Sequence, residues 1–295
     1  MTDYFMIFIS VVLLAAGFVL QRYYQDCSDN GNAGVRFSIT AGMFSIGIMI
    51  VMNGFSAEFS WYSLINALLK ALAVFIYTLL GFWLMKQGKM VLYTLFLMSG
   101  GMLLPAIWGW CFLGDPIVPQ RVIGTIVILF AIAISNMNIG KIDIKILTSC
   151  LGVFFLNGCV SILSKLHQSN TVYQIVSTTG YALYSAVLSL ILSSTYLFIM
   201  HAKEQQKTET ISASSKKRQL WLIGIVAVYS LIGTVSSLLQ LEGAKNLPAS
   251  VLYPMITGGS VVLMGLFSLL FFKEKPSKKE WIGIGLCLFG TLLFL

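Results

Sequence analysis

Long apolar runs alternate with short polar breaks along the whole chain. A helix needs about 20 mostly apolar residues to cross a membrane, and the runs reach that length. They lack the strict alternation of a membrane-spanning strand. The pattern predicts an all-α integral membrane protein with about ten transmembrane helices, at residues 4–22, 35–53, 61–86, 89–113, 118–135, 144–166, 172–200, 219–241, 248–272 and 278–295.

Composition supports a multi-pass protein of the cell membrane. The chain is 57% hydrophobic and 10% charged, with a mean hydropathy of +0.86. A soluble domain of this length must still cover its exterior with polar groups, so it could not hide so much apolar surface. The first run begins Met-Thr-Asp without a basic residue and is longer than the core of a secretion signal, so we expect it to be a retained helix.

The chain has a net charge of +8, and its basic residues are distributed according to the predicted topology. Most basic residues fall in loops after odd-numbered spans, whereas the opposite side has only Arg121, Lys165 and Lys245. The positive-inside rule therefore places the odd-numbered loops in the cytoplasm and both termini outside. Because membrane orientation accounts for the charge, we expect no nucleic-acid partner.

The second half of the chain repeats the first. When the third to fifth spans are laid on the eighth to tenth, Leu79-Leu80, Lys86 and Ile123-Gly124 meet identical residues at Leu238-Leu239, Lys245 and Ile282-Gly283. Since each repeat has an odd number of helices, the second must be inverted in the membrane. We therefore expect two inverted five-helix repeats, at residues 1–140 and 141–295, with a solute site between them.

Two segments resemble the EamA-like family of drug/metabolite transporters. They are Ala244-Lys245-Asn246-Leu247-Pro248-Ala249-Ser250 and Phe271-Phe272-Lys273-Glu274-Lys275-Pro276. The resemblance implies a ten-helix inverted-repeat fold and solute efflux or exchange. It also implies cytoplasmic termini, which conflicts with the charge pattern. Related small multidrug transporters rely on a carboxylate in the first helix, and none lies between Tyr4 and Gln21.

Catalytic and metal-binding motifs are absent from the sequence. It has no P-loop, GxGxxG, HExxH or GxSxG motif, and its five cysteines show no CxxC spacing. The two histidines, His167 and His201, lie at predicted helix ends, where we expect them to face the surface. We therefore predict no enzyme, no cofactor and no metal.

One basic residue lies inside a predicted span. Lys70 is nine residues into the third span, about 13 Å deep at about 1.5 Å per residue. Either it attracts an anionic group of a solute in a cavity, or the helix begins later and the lysine reaches the headgroups. No carboxylate lies at such a depth, which argues against proton coupling through a buried acid. Glu242, the nearest, is expected to pair with Lys245.

Polar residues recur at helical spacing on five spans, so each set lies on one helix face. The alternatives are hydrogen bonding between helices and a polar cavity. Together the five faces favour a cavity, with candidate substrate-contacting residues Lys70, Tyr77, Asn157, Ser161, Gln174, Thr178, Tyr181, Tyr229, Ser236, Gln240, Tyr253 and Thr257.

The sequence thus predicts a secondary transporter, an exporter or exchanger of small organic metabolites such as amino acids, that works by alternating access. The alternative is a flippase for a lipid-linked or amphipathic substrate. A membrane-embedded enzyme and a non-transporting receptor are less favoured. The expected partners are a small-molecule substrate and membrane lipids, with the protein a monomer or homodimer.

Overall fold

The described part of the chain is helical throughout. The computed structural model describes residues 2–27, 33–56, 58–87, 90–135, 143–204, 216–272 and 278–294, and these residues form ten helices and no strand. The helices are α1 (Thr2–Cys27), α2 (Ala33–Met52), α3 (Trp61–Lys86), α4 (Met90–Phe112), α5 (Pro119–Ser135), α6 (Ile144–Gln168), α7 (Thr178–Glu204), α8 (Lys216–Asn246), α9 (Ala249–Phe272) and α10 (Lys278–Leu292). The predicted all-α class is confirmed.

The start of α7 departs most from its predicted span. The Asn170 side chain accepts hydrogen bonds from the backbone N–H groups of Val172 and Tyr173, at 3.3 and 3.4 Å, and so forms a turn before the helix. The helix consequently begins at Thr178, six residues later than expected. Gln174 lies exposed in the preceding loop, so the prediction that it shares a helical face with Thr178 is wrong.

Six of the helices are long and apolar enough to cross a membrane, judged within the described residues. They are α1, α3, α4, α6, α8 and α9, and shorter apolar helices lie within α2, α5 and α10. Large apolar side chains such as Phe5, Phe130 and Phe271 point outward and are more than half exposed. An exterior of this kind suits lipid, which solvates apolar groups that water would not.

The helices pack in a regular set of pairs. α1 lies against α8 and α9, while α6 lies against α3 and α4. α2 contacts α7 and α8, and α7 also contacts α3. α4 pairs with α9, and α5 pairs with α10. In addition, α9 contacts α10, and α4 contacts α5. The largest apolar core is formed mainly by residues of α1, α5 and α9, including Ile7, Ile128 and Leu252.

Glycines allow the closest helix approaches. A Cβ at Gly124 in α5 would lie 2.9 Å from the carbonyl oxygen of Gly290 in α10, and a Cβ at Gly290 3.1 Å from that of Gly124. A Cβ at Gly100 in α4 would overlap the backbone of Phe154 in α6. Small residues permit such contacts between membrane helices.

One end of the bundle carries the start of α1 and the loops after α2, α4, α6 and α8, and we call it the N-terminal face. Side chains join these segments. Asn246 at the end of α8 lies 3.3 Å from the Asp3 carboxylate, and the Ser60 hydroxyl donates to the backbone carbonyl of Gln174. The polar network at this face closes the bundle above the cavity described next.

Candidate functional site

A cavity of about 360 Å³ lies among six helices, α2, α3 and α6 to α9. Its depth can be measured from the N-terminal face. Lys70 is nine residues from the start of α3, about 13 Å along the helix, and Ser185 is seven residues from the start of α7, about 10 Å. The cavity therefore lies inside the bundle, about 10–13 Å along these helices from the N-terminal face. Its polar lining residues are Lys70, Ser161, Ser164, Ser185, Ser189, Ser237, Gln240 and Tyr253.

Lys70 brings the one positive charge among these lining residues, which include no carboxylate. Its ammonium lies 4.9 Å from the ring centre of Tyr181, a cation–π contact. Within the described part of the chain it has no hydrogen bond or ion pair. Since α3 begins at Trp61 as predicted, the alternative in which the helix begins later is excluded. The cavity therefore offers an unneutralised ammonium to a ligand.

Most hydroxyl groups in the cavity, with the exception of Ser189, already donate to backbone carbonyls of the helices. Ser164 donates to Val160 at 2.9 Å and Ser185 to Tyr181 at 3.0 Å. Ser237 donates to Thr234 at 2.9 Å. Serines in membrane helices commonly bond in this way to a carbonyl one turn earlier. Their oxygen lone pairs remain available to accept hydrogen bonds.

Four stacked rings run from the N-terminal face to the cavity, and we call them the aromatic ladder: Tyr173, Tyr62, His167 and Tyr181. Tyr173 is 61% exposed and stacks on Tyr62 at 5.0 Å. Tyr62 lies 6.1 Å from His167, which stacks on Tyr181 at 3.8 Å. Tyr181 then meets the ammonium of Lys70. The ladder thus joins the surface loop after α6 to the charged group in the cavity.

Hydrogen bonds hold the buried end of the ladder. The Ser63 hydroxyl lies 2.9 Å from Nε2 of His167, and Tyr181 donates to the side-chain oxygen of Asn66 at 2.8 Å. Thr178 donates to Gln168 at 3.2 Å. All six side chains are buried and lie between the cavity and the loops of the N-terminal face. The cavity is therefore closed toward that face.

His167 is the main residue that the sequence analysis misjudged. It was expected to face the surface, but it has 0% exposure and packs inside the bundle, so that prediction is wrong. The helix continues to Gln168, and α3 and α7 cover its last turn. Ser63, three residues before Asn66 on the polar face of α3, was the available signal for a polar contact at this level. The side chain of His201 lies outside the described residues.

Four of the twelve predicted site residues line the cavity: Lys70, Ser161, Gln240 and Tyr253. Their contact with a substrate stays a prediction. Ser164, Ser189 and Ser237 line it too, although they were not in the predicted site. Ser185 also lines it and was likewise not in the predicted site.

The other eight lie outside the cavity. The Asn157 side chain donates to the carbonyl of Leu97 in α4, and Ser236 donates to that of Ser10 in α1, both at 2.7 Å. These bonds between helices were the alternative explanation of the polar faces. Of the six further predicted residues, Thr178 and Tyr181 lie in the closed layer, and Tyr77 and Tyr229 lie in apolar packing. Thr257 is half-buried, and Gln174 lies in a loop.

The segment that carried the family resemblance is held by two charged side chains. Lys165, 6% exposed, donates to the carbonyls of Ala244 and Leu247 at the end of α8, each at 2.7 Å. The Asp115 carboxylate accepts from the N–H of Ser250 at the start of α9, at 2.9 Å. A cation at a helix end and an anion at a helix start both match the helix dipole. Lys165, which the charge pattern counted on the side opposite the basic loops, is therefore buried and structural.

Within the described residues, no three His, Cys, Asp or Glu side chains come together in a way that could hold a metal ion. The polar groups of the cavity are one ammonium, several hydroxyls and an amide, inside the helix bundle.

The model of the EamA-like transporter family matches residues 144–295, slightly more than half of the chain. This segment contains α6 to α10 and includes the segment clamped by Lys165 and Asp115. The chain belongs to the EamA-like transporter family. It is a multi-pass membrane protein, as the apolar helices and the family together establish.

Two relatives of this chain carry the same description, probable 4-amino-4-deoxy-L-arabinose-phosphoundecaprenol flippase subunit ArnE. The protein of Hamiltonella defensa is 31% identical over 90 residues, which is 30% of this chain and 78% of that protein. The protein of Yersinia pestis (strain Pestoides F) is 40% identical over 73 residues, which is 25% of this chain and 60% of that protein.

A solved crystal structure shares the whole fold. It superposes with a TM-score of 0.71 and covers 99% of this chain and 96% of its own, at 15% sequence identity. At that identity the likeness concerns the fold alone. It places the arrangement of the ten helices within a known architecture.

Proposed function

We propose that this protein is a secondary transporter that binds the anionic group of an organic solute at Lys70 and moves the solute by alternating access. The unneutralised ammonium of Lys70, in a closed cavity inside the helix bundle, carries this proposal. A charged side chain at that depth costs about 2.5–3.5 kcal/mol in helix insertion, and a binding partner can offset this cost. Such residues commonly mark substrate pathways.

The charge of the lining favours an anion over a zwitterion. An amino acid brings an ammonium as well as a carboxylate, and the lining offers its ammonium no carboxylate in return. A phosphate or carboxylate compound without a positive charge can pair with Lys70 and brings no cationic group that the lining would leave unpaired. The expectation of an amino-acid substrate is therefore the weaker form of the transporter hypothesis.

We propose that the bundle consists of two inverted repeats, at residues 1–140 and 141–295, that rock about the cavity. The helix pairs support this arrangement. If each helix is exchanged with the one five places along the chain, the contacts of α1 with α8 and α9 become those of α6 with α3 and α4. The pairs α2–α7, α4–α9 and α5–α10 map onto themselves. Such a set of contacts is expected from a two-fold axis in the membrane plane.

In this mechanism the aromatic ladder is the closed gate of the N-terminal face. Opening requires α3, α6 and α7 to separate at His167 and Tyr181, which breaks the hydrogen bonds to Ser63 and Asn66. An anion that draws Lys70 away from Tyr181 removes one of the contacts that hold the gate. Substrate binding would in this way favour the open state, because a ligand shifts an equilibrium only through differential contacts.

A flippase for a lipid-linked substrate is the second candidate function. The two ArnE relatives favour it, since the substrate named in their description joins a sugar and a lipid through a phosphate. The phosphate would bind Lys70 as a free anion would. The cavity volume suits a headgroup and leaves the lipid chain outside, in the bilayer. Neither candidate is an enzyme, because both need only binding groups and a conformational change.

The test compares metabolites inside and outside cells that express wild-type protein or Lys70→Met. Methionine keeps the length and apolar stem of lysine but removes the charge. Lys245→Met is the matched control, because Lys245 is exposed and pairs with Glu242 at 2.8 Å, as the sequence predicted. We expect wild type and the control to redistribute the same few organic anions, and Lys70→Met to redistribute none.

The proposal fails if the Lys70→Met protein, verified in the membrane, transports as well as wild type. Redistribution of lipid-linked intermediates between the two leaflets, without any soluble anion, would instead favour the flippase.

A further inference from the structure

The cavity presents more acceptors than donors. The hydroxyl protons of Ser164, Ser185 and Ser237 are committed to helix carbonyls, and the Tyr253 hydroxyl donates to the carbonyl of Ser161. A ligand acceptor that lies away from Lys70 and Ser189 must therefore compete with one of these bonds. A ligand that brings an O–H or N–H donor finds free oxygen lone pairs on the same side chains.

Gln240 fits the same pattern. Its side-chain nitrogen donates to Ser236 at 3.2 Å, which leaves its oxygen without a partner among the described residues. The strong donor group in the cavity is the ammonium of Lys70. The polar part of the lining therefore combines one cationic donor with a larger set of neutral acceptors. The second N–H of Gln240 and the Ser189 hydroxyl are its neutral donors, and the rest of the lining is apolar.

The size of the cavity is that of a small-molecule site. Its volume of about 360 Å³ lies in the usual range of about 300–1,000 Å³ for ligand pockets. One substituted six-membered ring fits in such a space. A long alkyl chain would meet hydroxyl oxygens that it cannot satisfy.

We infer that the site takes a single-ring, hydroxyl-rich anion, that is, a sugar phosphate or sugar acid, either free or as the headgroup of a lipid. The acidic group pairs with Lys70, and the sugar hydroxyls donate to Ser185, Ser237 and the oxygen of Gln240. This inference rests on the proposed function, because it assumes that the anionic group binds at Lys70. It adds the class of substrate.

The test measures ligand affinity to the purified full-length protein by the concentration dependence of its Tm. The probes are a set of hexose and pentose monophosphates and hexuronic acids, with hexyl phosphate and inorganic phosphate as comparison anions. Hexyl phosphate has the charge of a hexose monophosphate but none of its ring hydroxyls. We expect the best sugar anion to bind at least tenfold more tightly than hexyl phosphate, since each hydrogen bond contributes about 0.5–1.5 kcal/mol and about 1.4 kcal/mol is a factor of ten.

A double variant separates the hydroxyl acceptors from the cation. In Ser185→Ala/Ser237→Ala we expect sugar-anion affinity to fall about fivefold to thirtyfold, while the affinity for hexyl phosphate stays within twofold. Ser149→Ala is the matched control. Ser149 also donates to a carbonyl one turn earlier, at 2.9 Å, but it is absent from the cavity lining.

The outcomes distinguish the two proposals. Equal binding of hexyl phosphate and the best sugar anion, with both lost in Lys70→Met, overturns the sugar inference and leaves the anion site intact. Anion binding that survives in Lys70→Met overturns both. A final experiment compares the best sugar phosphate with the same compound carrying a farnesyl chain. Tighter binding of the farnesylated compound indicates a lipid-linked substrate, and equal binding of the two indicates a free solute.

Discussion

Lys70, which lines the cavity, and the buried Lys165 should respond to methionine substitution with opposite signs. Lys70 has a cation–π contact with Tyr181 but no hydrogen bond among the described residues, whereas Lys165 donates to two helix-end carbonyls. If Lys70 serves ligand binding, its charge lowers the stability of the ligand-free protein. If Lys165 is structural, its charge stabilises the fold.

The magnitudes follow from these contacts. Lys70→Met removes an insertion cost of about 2.5–3.5 kcal/mol and a cation–π contact of about 1–2 kcal/mol, so the variant should be about 1–2 kcal/mol more stable. Lys165→Met leaves two buried carbonyls at the end of α8 without a donor, at a cost of about 3 kcal/mol. Since 1 kcal/mol shifts the Tm of a domain of this size by about 2–4 °C, we expect a rise of about 2–8 °C for Lys70→Met and a fall of about 6–12 °C for Lys165→Met.

The assay is thermal unfolding of the purified variants in one detergent, with transport measured in parallel. Lys70→Met should combine higher Tm with loss of transport, which is the pattern of a residue kept for function at the expense of stability. A fall in Tm for Lys70→Met as large as that for Lys165→Met would refute the reasoning, because it would mean that Lys70 stabilises the empty protein.

Three further predictions concern helix contacts and orientation. Gly100→Ala should lower Tm by at least about 4 °C, because the added methyl group overlaps the backbone of α6, and overpacking costs about 1–3 kcal/mol; an unchanged Tm would contradict the close approach. Asp115→Ala should cost about 1 kcal/mol in unfolding free energy, because it removes the acceptor of the Ser250 N–H at the start of α9, whereas Asp115→Asn, which keeps an acceptor, should cost less. Reporter fusions after Ser212 and at Leu295 should report cytoplasm and exterior respectively, and the reverse result would overturn the orientation inferred from the charge pattern.

Periodicity and length predicted the fold well because a membrane leaves few alternatives. Every spanning segment must satisfy its backbone internally, so apolar runs of sufficient length become helices. The start of α7 was not predictable in this way, because the turn at Asn170 depends on side-chain bonds that hydropathy does not report.

The site was predicted only in part. Helical spacing identifies a polar face, but it does not tell whether that face meets a cavity or another helix. Lys70 and Gln240 line the cavity, whereas Asn157 and Ser236 bond to the backbone of neighbouring helices. His167 was missed because a histidine near a helix end looks like a surface residue, and its burial depends on how α3 and α7 cover α6.

Solute exchange in proteoliposomes tests the central claim most directly. The vesicles contain purified wild-type protein or Lys70→Met, are loaded with a panel of sugar phosphates, organic acids and amino acids, and are assayed by mass spectrometry for the compounds they release. The account predicts that wild type releases a narrow set of anions and that Lys70→Met releases none of them above protein-free vesicles. Equal release by the two proteins, or release of amino acids alone by wild type, would contradict it.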